Sequence, residues 1–212
     1  YMVSMGFGYP LGVDLPGEKR GMIPNDKYYD KNYRGSWNGL TIISIAIGQG
    51  EVTATPLQIA NLGATIANRG YFITPHVVKE IEDVPLDTLY TTKRYTKVQR
   101  EHYETVVEGM RAAVTGGTCR AANLSGLDVC GKTGTAQNRG KDHSAFMGFA
   151  PMNDPKIAVS VYVENGGWGA TYGVPIGALI IEKYLKGELS AESEMKARDI
   201  QNRRIDYGIH ER

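Results

Sequence analysis

The chain has 212 residues, 42% of them hydrophobic and 22% charged, enough for one packed domain. A formal net charge of +1 gives no bulk electrostatic route to nucleic acid or to an anionic membrane surface. No apolar run approaches the ~20 residues of a bilayer span, and the opening residues, YMVSMGFGYP, carry no leader pattern and read as the interior of a longer polypeptide.

The first forty residues are dense in Gly and Pro and read as loop, with a turn at Asp14-Leu15-Pro16-Gly17-Glu18. The segment LTIISIAIGQG (40–50) is apolar and β-branched. A helix is predicted from Thr55, where Thr55 and Gln58 form a T-x-x-Q capping box and Pro56 suits the first helical position. Ile59, Ala60, Gly63, Ile66 and Ala67 follow helical spacing, their small residues suit close backbone packing, and Gly70 is placed to end the helix. An extended stretch near 71–82 precedes a second helical pattern, in which Val106, Val107, Met110 and Val114 share a face and Gly116-Gly117 stops it.

The last third changes period. Leu127 and Val129 alternate into GKTGTAQ, SAFMGFAP follows, and residues 156–163 (KIAVSVYV) alternate almost throughout. Short connections between them predict an antiparallel meander of three strands. A helix is then predicted with Pro175 near its start, Ile176, Leu179, Ile180 and Tyr184 on one face, and Gly187 as its cap. Residues 188–212 read as a charged tail or surface helix.

Cys119 and Cys130 are too few for a disulfide framework, and the residues leave open whether they pair. His76, His102, His143 and His210 lack carboxylate or thiol neighbours at ligand spacing, so neither a metal nor a cofactor is expected.

The stretch GLDVCGKTG (126–134) satisfies two motifs. As Gly126-x-x-x-x-Gly131-Lys132-Thr133 it is a P-loop, which requires a buried strand before Gly126 and a helix starting at the Lys-Thr. GGTCRAANLS upstream is no buried strand, and Gly134-Thr135 followed by polar residues makes a poor helix, so nucleotide binding is the remote alternative. As Lys132-Thr133-Gly134 it is a strand on which a lysine attracts a carboxylate, with the hydroxyls of Thr133 and Thr135 beside it. Gly134 lets a peptide approach closely, and a backbone N–H there can face a developing oxyanion.

FGYPLGVDLPGE, WNGLTIISIAIGQGEVTATPLQIANLGATIANRG, GKTGTAQN, DHSAFMGFAP and KIAVSVYVENGG, in that order, resemble the class B penicillin-binding proteins, and within them penicillin-binding protein 2 of cell elongation. The resemblance covers about residues 5 to 186. It implies an α+β penicillin-binding transpeptidase (β-lactamase-like) fold, an antiparallel sheet with covering helices, in which residues 1–187 form the C-terminal part of a domain whose N-terminal part lies upstream. It also implies a peptidoglycan D,D-transpeptidase on the periplasmic face of a bacterial inner membrane. Implied partners are stem peptides ending in D-Ala-D-Ala, β-lactam antibiotics and membrane proteins of the elongation machinery. A β-lactam or peptidoglycan sensor, or an inactive scaffold of the same fold, is the alternative.

In that family a serine in S-x-x-K attacks the peptide carbonyl. Carried onto this chain, Lys132 positions the substrate carboxylate, Thr133 and Thr135 hydrogen-bond it, and the Thr135 N–H supplies half the oxyanion hole. The nucleophile has no counterpart here. Ser193-x-x-Lys196 falls in the charged tail, after KTG instead of before it. Ser36-Trp37-Asn38 matches the second motif, S-x-N, but follows DLPGE where the family's copy precedes it. Both are read as accidental, and this chain alone is expected to be inactive.

Overall fold

The computed structural model describes residues 1–205. In chain order these form helices α1 (Asp26–Tyr33), α2 (Gly39–Ala46) and α3 (Pro56–Ala67), then a two-residue ribbon of β1 (Tyr71–Phe72) and β2 (Arg94–Tyr95). Helix α4 (Arg100–Thr115) follows, then strands β3 (Cys130–Ala136), β4 (His143–Ala150) and β5 (Ile157–Val163), and helices α5 (Gly173–Lys186) and α6 (Ala191–Asn202). Part of the expected 188–212 tail, with His210, lies outside the described residues.

The predicted meander forms in the order β3-β4-β5, antiparallel throughout. Its register sets Lys132 opposite Met147, Thr133 opposite Phe146, and Gly134 opposite Ala145. Because side chains alternate across a strand, each row belongs to one face of the sheet. On one face Phe146, Val159 and Val161 pack with Val174, Ala178 and Ile181 of α5. On the other, Cys130 and Phe149 pack with Ile66 of α3 and with Tyr103, Val107 and Met110 of α4. The sheet is thus a central layer between helices, the arrangement that buries both its apolar faces.

Phe146 is 1% exposed because its ring lies where side chains are missing. A Cβ on Gly131, Gly148 or Gly177 would come within 2.5, 2.5 and 2.4 Å of that ring. Gly177 lets the α5 backbone settle onto the phenyl, and this turns the helix. Its buried face is Val174, Gly177, Ala178 and Ile181, whereas Ile180 and Tyr184 of the predicted face are exposed. Apolar bulk pointed to the wrong stripe, and the small residues mark the right one. A smaller correction applies to α4, where Tyr103 takes the buried place expected of Val106.

Helix α3 starts as the sequence dictates, with Thr55 accepting from the Gln58 N–H, Gln58 accepting from the Thr55 N–H, and Pro56 at the first turn. Gly63 faces the sheet, and a Cβ there would lie 3.2 Å from Met147 and 3.7 Å from the Gly148 carbonyl oxygen. Buried Gln58 also donates to the carbonyls of Gly6, Tyr9 and Arg20, drawing the N-terminal loop onto α3. Within that loop Glu18 accepts from the N–H groups of Leu11, Gly12 and Val13, and Asp14 accepts from those of Val77 and Val78. The DLPGE turn is therefore built around two carboxylates that satisfy backbone donors.

Helices α1 and α2 were not legible as helices. Each opens on an asparagine cap, Asn25 bonding the Tyr28 N–H and Asn38 the Leu40 N–H, in a region whose glycines and prolines read as loop. The extended stretch from Tyr71 pairs only at Tyr71 and Phe72, and the strand expected from Leu127 begins at Cys130. In α6, capped by Ser190, Ser193 is buried against α5. There Glu182, also buried, accepts from Lys186 at 3.2 Å through one carboxylate oxygen, and its other oxygen has no hydrogen-bond partner among the described residues.

Gly177→Ala is expected to destabilise the chain by about 1–3 kcal/mol through overpacking, despite the ~1 kcal/mol gain in helix propensity. Gly109→Ala in α4, where a Cβ meets nothing within 4 Å, should be neutral or stabilising; urea denaturation of both variants checks the contrast. Burial pushes the Glu182 carboxyl up, but the neighbouring Ser193, Lys186 and Ser190 groups outweigh it and hold it below the ordinary value. Its stabilising effect is therefore complete above the ordinary carboxylate range and is lost as pH falls through the lowered value. Glu182→Gln should cost on the order of 1 kcal/mol at neutral pH, and urea titrations toward acid pH should show its gap from wild type closing.

Candidate functional site

A cavity of about 650 Å³ lies on the α3 side of the sheet and brings all four residues of the predicted site together: Lys132, Thr133, Gly134 and Thr135 of β3. Its floor continues across Ala145, Met147, Ser160 and Tyr162, in register with the β3 residues. The start of α3 and the turn Ile47–Ala54 that leaves α2 form the opposite wall. The Lys132-Thr133 pair lies within a strand and not at the start of a helix, so the P-loop reading is wrong at its first structural requirement.

Among the described residues β3 is an edge strand of its sheet. The Thr133 N–H points away from β4 toward the Cys119 thiol, and the Thr133 hydroxyl pairs with that of Thr118 at 2.9 Å. The two-residue period then aims the Thr135 N–H off the same edge, beyond the point where Thr118 and Cys119 close it. Lys132 is exposed, and its amine donates to the Thr133 carbonyl at 2.7 Å. Side-chain alternation puts Lys132 and Gly134 on the α3 face, in the rows of Met147 and Ala145, and Thr133 and Thr135 in the rows of Phe146 and Ser144. The arrangement offers a cation, hydroxyls and an outward N–H along one bare strand edge, which suits an extended peptide that ends in a carboxylate. Thr118 was not anticipated, since nothing in GGTC signals that its hydroxyl meets β3.

The two accidental matches have local roles. Ser36 lies in the loop between α1 and α2, where its N–H bonds the Tyr33 carbonyl, and Asn38 of the same triplet caps α2. Ser193 sits buried in the first turn of α6, while Lys196 pairs with Glu192 at 2.7 Å on the surface. Also outside the sequence prediction is a cluster about Glu51. Its carboxylate accepts from the hydroxyl of Tyr29 at 2.7 Å and from that of Tyr33. These bonds, Tyr33 first, hold the Glu51 carboxyl below its usual range, while burial and then Glu51 push the Tyr29 hydroxyl up to about 12. The i,i+4 spacing of Tyr29 and Tyr33 was the available signal, hidden because no helix was expected there. Among the described residues no group of three His, Cys, Asp or Glu is placed to hold a metal ion.

The described geometry has close relatives. Residues 1–185 match the family described as the penicillin binding protein transpeptidase domain. The chain belongs to this family. Among curated relatives it is similar to the peptidoglycan D,D-transpeptidase MrdA of Acinetobacter baumannii, 34% identical over 190 residues, and to that of Haemophilus influenzae, 32% identical over 211. These alignments cover 81% and 89% of this chain but only 28% and 32% of the relatives, so the chain spans about a third of their length. Among solved structures it resembles penicillin-binding protein 2 (PBP2) of Pseudomonas aeruginosa in complex with WCK 5153, with a TM-score of 0.79 at 36% identity over 90% of this chain and 43% of that one. It also resembles Helicobacter pylori PBP2 in its complex with MreC, with a TM-score of 0.72 at 29% identity over 88% and 35%. The α+β fold and the resemblance to PBP2-type transpeptidases stand together on these matches.

Cys119 and Cys130 are both free and buried, and they lie in the hydrophobic clusters on opposite faces of the sheet, which explains why they do not pair. Burial pushes the Cys130 thiol up to about 11 and raises that of Cys119 as well. Neither thiol should react with a disulfide reagent at pH 8 in the native protein, and both should react once urea unfolds it; a colorimetric thiol count under the two conditions checks this.

Proposed function

We propose that this chain provides the carboxylate-binding half of a peptidoglycan D,D-transpeptidase site, and that the nucleophilic serine and its S-x-x-K lysine come from sequence outside these 212 residues. The observation that carries the reading is the co-location of Lys132, Thr133, Gly134 and Thr135 on an edge strand beside an apolar-walled cavity.

The residues then divide the work as follows. A stem peptide ending in D-Ala-D-Ala lies along the edge of β3, its terminal carboxylate held by Lys132 and by the hydroxyls of Thr133 and Thr135. The serine oxygen attacks the penultimate D-Ala carbonyl while its proton passes to the S-x-x-K lysine. Charge accumulates on the carbonyl oxygen, where the Thr135 N–H and the nucleophile's own N–H donate to it. The C–N bond breaks, the terminal D-Ala leaves as an amine after taking a proton, and an ester to the serine remains. An amine of a second stem peptide attacks this ester, forming the cross-link amide and returning the proton to the serine. A β-lactam mimics the first step, its ring amide opening onto the same serine and its carboxylate taking the same place.

Peptidoglycan substrates place this chemistry on the extracytoplasmic face of a bacterial inner membrane, with an anchor elsewhere in the polypeptide. Among the described residues no helix is long and apolar enough to cross a membrane. The Helicobacter pylori relative was solved with MreC, and a membrane protein of that kind is the proposed partner here.

Fluorescent penicillin labelling tests the division of the site. The 212-residue chain should form no acyl-enzyme, whereas a longer polypeptide that includes the upstream coding sequence should be labelled, and Lys132→Ala in it should cut labelling by about a hundredfold or more. Serine-dependent labelling of the short chain would place the nucleophile within it and overturn the proposal.

A further inference from the structure

The wall of the cavity opposite β3 is a turn tied by backbone hydrogen bonds at its two ends. Ile47, Gly48, Gln49 and Val52 form it, and Gly48 and Gly50 adopt positive φ values of 77° and 66°. One end is tied by the two hydrogen bonds of a backbone bridge between Met22 and Thr53, of 2.8 and 3.0 Å. At the other end the N–H groups of Ile47, Gly48 and Gln49 bond the Ile43, Ile45 and Ser44 carbonyls of α2. Between these ties the turn is held by its own Glu51, whose two carboxylate oxygens each accept from a tyrosine of α1. Those tyrosines are themselves clamped. Tyr29 is 1% exposed and packs edge-on to Tyr28, and Tyr33 and Trp37 lie 5.5 and 5.8 Å from its ring. The Trp37 indole in turn donates to Asp30 of the same helix at 2.8 Å.

The turn is an apolar seat left uncovered. Ile47 on it is 72% exposed, and Leu40 and Ile43 of the adjoining α2 are 75% and 60% exposed. Large apolar side chains at this exposure, side by side and continuous with an apolar cavity, mark a surface that another element covers. The chain spans about a third of its curated relatives, and the serine of its one S-x-x-K match, Ser193, is buried in the first turn of α6. The chemistry of the reaction fixes where the nucleophile motif must come, since its serine has to reach a carbonyl held against the Thr135 N–H. The cavity between β3 and the turn is the apolar space that adjoins this point.

We infer that Glu51, gripped by Tyr29 and Tyr33, is a positioning residue that sets the Ile47–Val52 turn as the seat for the segment bearing the S-x-x-K serine, and so fixes the distance of that serine from β3. The inference rests on the proposed division of the site. Glu51 touches no reacting atom; it acts through the backbone of the turn. Loss of its two hydrogen bonds leaves β3, and therefore carboxylate binding, as it was, but lets the seat drift, and displacements near 1 Å cost reaction rate far more than affinity.

Two measurements test this, each on Glu51→Gln and on Tyr33→Phe. Tyr33 is partly exposed, so its variant keeps the core and Glu51 intact. In the 212-residue chain, amide exchange at Gly48, Gln49 and Thr53, whose N–H groups bond backbone carbonyls, should accelerate by about tenfold in both variants while α4 and β4 are unchanged. In the longer polypeptide, the rate constant for acylation by fluorescent penicillin should fall about ten- to a hundredfold, with the dissociation constant of the preceding complex within about twofold of wild type. Unchanged exchange at the turn overturns the latch, and accelerated exchange with an unchanged acylation rate overturns its positioning role. A parallel loss of affinity, rate and melting temperature shows a merely structural residue and also overturns it. A wild-type longer polypeptide that takes no label removes the functional reading itself, a result separate from any behaviour of Glu51.

Discussion

A phenyl ring packed against glycines couples the layers of this protein. Phe146 occupies the space that side chains at Gly131, Gly148 and Gly177 would fill, so the ring locks β3 to β4 and seats α5 against both. The ring sits in the row of Thr133 and therefore directly behind the KTG strand. Full burial of such a side chain is worth roughly 1.5–3 kcal/mol, but its larger consequence is geometric. β3 is an edge strand, and an edge that must present its N–H groups in a fixed direction needs a rigid backing. Phe146 supplies that backing from one face, while Met147, packed near Gly63 of α3, supplies it from the other.

On this frame the site is an open edge beside a cavity. Thr118 and Cys119 close the edge at Thr133 and leave Thr135 facing outward, so the strand is covered where its structure needs a partner and bare where a peptide would add to it. The wall across the cavity is held by a different kind of contact, a carboxylate shared by two tyrosines at a junction built on aromatic stacking. One side of the site is therefore secured by apolar packing and the other by a small polar latch. Polar latches hold a single geometry only while every bond in them is made.

Local signals were legible wherever the chemistry was local. Thr55, Pro56 and Gln58 announced the start of α3, alternation announced β5, and short connections announced the antiparallel order of the meander. The order of motifs around Lys132-Thr133-Gly134 announced the family. What stayed hidden depended on distant partners. The face of α5 is chosen by a ring thirty residues upstream, so Ile180 and Tyr184 misled where Gly177 and Ala178 decide. Helices α1 and α2 are stabilised by asparagine caps and by Tyr29, Trp37 and Glu51, which meet only in space. The overlapping P-loop pattern was already denied by its neighbours in the sequence, and the strand that holds Lys132 and Thr133 agrees.

On the proposed division of the site, the open edge of β3 receives a substrate carboxylate while a serine from elsewhere in the polypeptide meets the carbonyl held at Thr135. A crystal structure of the longer polypeptide acylated by a penicillin tests it most directly. The antibiotic carboxylate is expected within hydrogen-bonding distance of the Lys132 amine and of the Thr135 hydroxyl, with the ester carbonyl oxygen accepting from the Thr135 N–H. An acyl group whose carboxylate and carbonyl make no contact with β3 would contradict it.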